Sequence, residues 1–318
     1  MKILVLGTFF NNRNGLPRSQ AEDLLEMLRE MGYDAQGVSG QMSSTGRFFD
    51  QIRHLIASAR HKQRVALIDF FGSKTFYLQV ILVLLADFLK YRIVLNLHGG
   101  SLPERYEKSR YLSRVCYRRA DVIKAPSAYL KDFVESKGFD VTLLENIIDL
   151  ERYDLPSKTK IKPAILWMRT FHEAYDPCSA LHAFKLLLND FEDAHLTMAG
   201  SDQGLLEATK RTAVDLQIQD HVSFPGFIEH EERIQLAREC DIYLCTNKVD
   251  NAPVSIVEMM ALGLVIVSTN AGGIPSMVEH ERTAMLSNPD DAQALCNNLT
   301  AVLCDQKNSL ALIENAKK

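Results

Sequence analysis

Residues 246–275 read TNKVDNAPVSIVEMMALGLVIVSTNAGGIP, and what the rest of the chain is expected to do follows from this stretch. Asp250 is followed eight positions later by Glu258, with the turn-prone Asn251-Ala252-Pro253 between them opening an apolar helical run that Gly263 ends. A strand-like run at 264–268 leads into a second turn at Ala271-Gly272-Gly273. Two backbone-exposing loops and a helix N-terminus in one compact segment suit a charged small molecule. Asp250 precedes the helix and Glu258 lies inside it, so both would act as ionised acceptors at its mouth. Taken alone, the same pair is more often a solvated loop Asp and a charge-paired helical Glu.

Working outward, strands and helices alternate on both sides of this segment. The first half reads as strands at 3–7, 65–70, 92–97, 122–125 and 141–144, with helices at 19–31, 76–89, 108–119 and 128–137. The second reads as strands at 164–168, 195–199, 222–224 and 242–245, with helices at 177–188, 204–216 and 230–238. The fold class is therefore α/β, with two Rossmann-like domains, 1–155 and 156–318, expected to face each other across a cleft. The polar segment 145–160, which includes Tyr153, Pro156 and Ser157, reads as the linker. The 76–89 run is interrupted by Gln79 and Asp87, is too short to cross a bilayer, and reads as a buried helix.

With 318 residues, 47% of them hydrophobic, the chain can bury a large core. Its net charge of -4 is uneven: residues 1–155 carry 22 Lys and Arg against 18 Asp and Glu, leaving 14 against 22. The basic run 110–119 is a solvated helix face or, on the second reading, a contact for an anionic membrane surface. Nucleic acid is not an expected partner. The six cysteines form neither a C-x-x-C pair nor zinc-like spacing and read as reduced thiols. Met1-Lys2 runs straight into the first strand and not into a signal peptide, so the expected location is cytoplasmic, with peripheral contact at the inner membrane face as the second reading.

Candidate binding residues stand where strands end. Arg169 follows the 164–168 strand, where its planar fork would suit a pyrophosphate. His98, Gly99 and Gly100 follow the 92–97 strand, Gly15 lies in the loop after the first strand, and Gly200, Pro225 and Gly226 end two strands of the second half. G-x-G-x-x-G is absent, which disfavours a nicotinamide or flavin enzyme. No Asp-x-Asp element stands ready to hold a divalent ion on a diphosphate, so no metal site is expected.

The segment from Thr246 through SMVEHERTAMLSNPDD resembles the donor-site signature of the GT-B retaining glycosyltransferases of glycosyltransferase family 4. The resemblance extends over most of the chain, through MKILVLG, LHGG at 97–100, ADVIKAPS at 120–127, LLENIIDLERY at 143–153, LTMAGSDQG and VSFPGF. It implies transfer of a sugar, with retention, from a nucleotide-diphosphate sugar held mainly by the second domain to a glycan or lipid-linked acceptor held mainly by the first. That donor is a co-substrate, and no cofactor is implied. Under this resemblance Asp250 would hold donor-sugar hydroxyls and Glu258 the ribose. Asn251, Ala252, Pro253, Val254 and Ser255 would present the segment that meets sugar and phosphates. Arg169, with Thr170, would meet the pyrophosphate, and His98 would sit near the transferred sugar.

Two departures from the family pattern stand out. The first acid is Asp where Glu is usual, and the stretch after Arg169 lacks the usual lysine, leaving His172 as its substitute. A further helix that crosses back onto the first domain is also expected of the family beyond 314–318. The alternatives are a non-catalytic sugar-nucleotide or glycan-binding protein on the same fold and a nucleotide-sugar epimerase.

Overall fold

A computed structural model of the chain describes residues 1–9, 19–41, 43–146, 148, 150, 153 and 158–317. Gly15 and, within the expected linker, Pro156 and Ser157 lie outside the described residues. The chain divides into two compact units, Met1–Ile147 and Ile148–Lys318.

In the first unit, β1 (Lys2–Leu6), β2 (Asp34–Gly37), β3 (Arg64–Phe71), β4 (Arg92–His98), β5 (Val122–Ala125) and β6 (Thr142–Leu143) form one sheet in the order β2-β1-β3-β4-β5-β6. Every pairing is parallel. The strand β1 shows why: Leu4 and Leu6 enter one core cluster while Ile3 and Val5 enter another, so both faces need cover. The cover comes from α1 (Gln20–Glu30), α2 (Ser44–Ser58), α3 (Phe76–Phe88), α4 (Leu102–Lys108), α5 (Arg110–Arg119) and α6 (Ala128–Glu135). The start of α1 is fixed by a capping box between Ser19 and Glu22.

The second unit repeats the plan with β7 (Ala164–Met168), β8 (His195–Ala199), β9 (Val222–Gly226), β10 (Ile242–Cys245), β11 (Val265–Thr269) and β12 (Met285–Ser287), in the order β12-β11-β10-β7-β8-β9. These pairings are parallel too. Ile165 and Trp167 of β7 point into one cluster and Leu166 and Met168 into the other. The helices are α7 (Pro177–Leu187), α8 (Leu206–Asp215), α9 (His230–Glu239), α10 (Val254–Ala261), α11 (Ala292–Cys304) and α12 (Gln306–Ala316).

The parallel, helix-covered sheet expected of each half is what the structure has, with several corrections. The sequence reading passed over β2, α2, β12, α11 and α12. The helix expected at 108–119 is two, because Ser109 breaks the run and α4 begins at Leu102 with Pro103 in its first turn. Pro225 and Gly226, expected beyond the 222–224 strand, lie within the end of β9. The 76–89 helix is not buried all round: Tyr77, Ile81, Leu84 and Phe88 are exposed.

In each sheet the strand order reverses at one point. In the first it lies between β1 and β3, and in the second between β7 and β10. The chains leaving the two strands at such a point diverge and open a crevice at the carboxyl edge of the sheet.

Candidate functional site

Arg169 directly follows β7, and the loop 246–253 follows β10, so both stand at the reversal point of the second sheet. Arg169 Nη2 makes an ion pair with Asp250 Oδ2, and Nη1 donates to Ser255 Oγ at 3.2 Å in the first turn of α10. The guanidinium lies 4.3 Å from the centroid of the Tyr175 ring, a cation–π contact on its flat side. Its Nε is buried without a hydrogen-bond partner among the described residues. Burial draws the Arg169 guanidinium down, but the Asp250 carboxylate together with Tyr243, Tyr175 and Cys245 more than offsets it, so the net displacement is upward and the group is a permanent cation.

Asp250 is held on several sides. Its Oδ2 also accepts from Asn247 Nδ2 at 2.7 Å, and Oδ1 accepts the Asn251 amide at 2.7 Å. Its carbonyl accepts the Gly273 amide at 3.0 Å. Gly272 adopts a φ of 55°, and a Cβ there would collide with that same carbonyl oxygen, so the Gly-Gly turn has to be glycine where it passes under Asp250. Thr269 Oγ1 donates to the Asn247 carbonyl at 2.6 Å, which ties the end of β11 to the same loop.

On the strand side, the Tyr243 hydroxyl lies 2.9 Å from Ser255 Oγ and 3.1 Å from the Met168 carbonyl. Burial pushes this phenol well above its usual range, so it stays neutral as a hydrogen-bonding spacer. Gly200 is packed so tightly that a Cβ would run into the Arg169 carbonyl oxygen. Its amide donates to the Gly226 carbonyl at 2.7 Å, which brings Gly200 and Gly226 together beside Arg169. Pro225 lies next to them in β9. The Thr170 carbonyl accepts the His172 amide at 2.8 Å. His172 caps the short 3₁₀ turn Glu173–Tyr175, its Nδ1 accepting the Ala174 amide at 3.1 Å.

Pro253 is the N-cap of α10, with Val254 and Ser255 opening the helix after Asn251 and Ala252. Glu258 is buried inside that helix. Its Oε1 accepts Arg233 Nη1 of α9 at 2.6 Å and the Tyr153 hydroxyl at 2.8 Å. The structure thus gathers Arg169, Asp250 and Ser255 into one network and gives Glu258 a second one.

His98 ends β4 in the first unit, followed by Gly99, at a φ of 81°, and Gly100. The parallel register sets Phe71 beside His98 and Asp69 beside Asn96. The imidazole stacks on Phe71 at 4.9 Å, and its Nε2 lies 2.9 Å from Asp69 Oδ1 and 2.7 Å from Asn96 Nδ2. Asn96 Nδ2 in turn donates to Asp69 Oδ1 at 2.9 Å.

Sequence reasoning missed Asp69, Asn96, Asn247, Tyr175, Arg233, Tyr243 and the part Tyr153 plays. Asp69 carried a signal, because it is the single acid inside an apolar strand; Arg233 and Tyr243 read as ordinary members of a helix and a strand. The loop after β10 also carries Lys248, bonded to Asp290 at 2.6 Å and to Asp176 at 3.3 Å. Among the described residues no three His, Cys, Asp or Glu side chains cluster as metal ligands.

Two α/β units, each built on a six-stranded parallel sheet, make this a GT-B fold. The chain is similar to HepE of Anabaena, solved in complex with UDP, with a TM-score of 0.74, 17% identity, and cover of 100% of this chain and 94% of that one. It is similar to sucrose-phosphate synthase of Thermosynechococcus elongatus with a TM-score of 0.81, 15% identity, and cover of 99% and 93%. Residues 154–318 match the family described as Glycosyl transferases group 1, and the chain belongs to that family. Among curated proteins it is 37% identical over 99 residues to the amylovoran biosynthesis glycosyltransferase AmsK of Erwinia amylovora, a stretch that is 29% of this chain. Over that match the chain spans 24% of the length of AmsK.

Proposed function

We propose that the chain transfers a glycosyl group from a nucleoside-diphosphate sugar to a hydroxyl of a glycan or lipid-linked acceptor, with retention at the anomeric carbon. The observation that carries this reading is Arg169, a permanently charged fork at the sheet's reversal point, shared between Asp250 and the first turn of α10. A pyrophosphate offers that fork paired oxygens. As the guanidinium turns to the phosphates, Asp250 Oδ2 is released to accept donor-sugar hydroxyls. The segment Asn251 to Ser255 adds the amide-rich end of α10.

Glu258, held by Arg233 and Tyr153, is positioned to accept from the ribose. His98, stacked on Phe71 and tied to Asp69, is assigned to the transferred sugar. No covalent nucleophile is invoked. The bond from the anomeric carbon to the donor phosphate breaks, the bond to the acceptor oxygen forms on the same face, and the acceptor proton passes to the leaving phosphate. Arg169 stabilises the charge that develops there.

The names of similar proteins support the class of reaction. HepE is described with UDP and with UDP-glucose, AmsK is a biosynthetic glycosyltransferase, and the Escherichia coli relative WcaL is named for colanic acid biosynthesis, in keeping with polysaccharide assembly. This reading places the chain in the cytoplasm at an anionic membrane face, and takes the family's acceptor and donor domains as 1–155 and 156–318.

The test is a transfer assay across a donor and acceptor panel. Arg169→Ala is expected to lower kcat by about 10²- to 10³-fold, and Asp250→Ala to lower it as well. Wild-type rates from both variants would overturn the assignment. Tight binding of a nucleoside diphosphate with no turnover on any acceptor would select the non-catalytic binding protein instead, and an altered sugar without acceptor would select the epimerase.

A further inference from the structure

The outer face of α3 exposes Tyr77 by 50%, Ile81 by 47%, Leu84 by 38% and Phe88 by 78%. These positions step by four, three and four residues and so form one stripe along the helix, roughly 16 Å long at about 1.5 Å per residue. The opposite face, including Val80 and Val83, is in the core. Here α3 is a helix that is apolar on both sides and buried on only one, which a surface helix ordinarily avoids.

Two contacts fix what lies beside the stripe. The Tyr77 hydroxyl is 3.4 Å from Oγ of Ser109, the residue before α5, and at the far ends Arg119 Nε bonds Asp87 Oδ2 at 3.2 Å. Start meets start and end meets end, so α3 and α5 run side by side in the same direction. The sequence of α5, RYLSRVCYRR, has four arginines and no acid. Arg110 and Arg118 are exposed and make no ion pair among the described residues, and Tyr111 between them is exposed as well. Asp87, the single acid of α3, is already neutralised by Arg119. On α2, which also packs on α3, Phe49 and Ile56 are exposed on either side of Arg53, which pairs with Asp50 at 3.5 Å.

We infer that this face of α3 and α5 docks on an anionic lipid bilayer. The apolar side chains enter the boundary between headgroups and acyl chains while the arginines meet lipid phosphates. The face is peripheral: no helix among the described residues is long and apolar enough to cross a membrane. A second copy of the chain is a poor occupant, because a two-fold contact would set the same uncompensated arginines against one another. The inference rests on the membrane placement in the proposed function and gives it a surface; its test stands apart from the transfer reaction, since docking is read without donor or acceptor.

The test is co-sedimentation of the full chain with vesicles of phosphatidylcholine alone and of phosphatidylcholine mixed with phosphatidylglycerol. Expected is binding to the mixed vesicles only. Arg110→Glu with Arg118→Glu should weaken it roughly 30-fold or more, and Ile81→Ser with Phe88→Ser about tenfold or more. Both double variants change exposed positions and should keep the wild-type circular dichroism and melting curve. No binding to mixed vesicles at low salt, or equal binding to both kinds, would overturn the inference. So would a serine variant that binds like wild type, or self-association in sedimentation velocity that the serine variant abolishes.

Discussion

Arg169 and Asp250 stand 81 positions apart, and their ion pair ties two loops into one candidate site. Each residue was legible in the sequence, Arg169 by its place after a strand and Asp250 by its spacing from Glu258. Their pairing was not, because it depends on β7 lying next to β10, and that strand order skips two intervening strands. Glu258 raises a question of stability as well as function. Its ion pair with Arg233 is buried, with 10% and 11% of the two side chains exposed. Removing the carboxylate leaves a buried guanidinium uncompensated. Glu258→Ala is expected to cost about 3–5 kcal/mol in chemical denaturation, and the double change Arg233→Met with Glu258→Leu should cost clearly less. Equal losses would mean that the pair's charge does not matter. In the first unit, Asp69 Oδ1 and Asn96 Nδ2 both meet His98 Nε2 and so set the orientation of the ring. Asp69→Asn is expected to lower kcat about tenfold, the worth of one hydrogen bond of ~1.4 kcal/mol, with donor Kd unchanged. A variant that only melts earlier, with wild-type kcat, would make Asp69 purely structural.

Strands of the continuous apolar kind were readable because a parallel sheet covered on both faces needs them, as the buried run Val265, Ile266 and Val267 of β11 illustrates. The elements that escaped notice lacked that signature. β2, with the sequence DAQG, is a short edge strand with one buried position, and α2 begins Ser-Thr-Gly, which reads as a turn until its apolar stripe is seen. The turn at 271–273 was expected as a second phosphate-friendly loop, and the structure shows it supporting the Asp250 loop from below. Gly272→Ala tests that role. A side chain there meets both an unfavourable φ and the Asp250 carbonyl, so a loss of more than about 1 kcal/mol is expected. Nucleoside-diphosphate affinity should fall with it, as Asp250 and α10 are displaced. A variant with normal melting and normal nucleotide binding would show that the loop tolerates a shift.

For the molecule as a whole, two parallel α/β units were legible from the alternation of strands and helices. Which residues become neighbours was not, since the reversal point of each sheet is a property of strand order. The account's central claim is that the reversal point of the second sheet, with Arg169 at its centre, binds the nucleoside diphosphate of a sugar donor. Ligand that binds the native state raises stability by about 2.7 kcal/mol at a hundred times Kd. The direct measurement is therefore the melting temperature of wild type and Arg169→Ala across a series of UDP, GDP and ADP concentrations. The account predicts that one of the three raises the wild-type melting temperature progressively and that the shift is absent or much smaller in Arg169→Ala. Equal shifts in the two proteins, or none from any nucleotide in wild type, would contradict it.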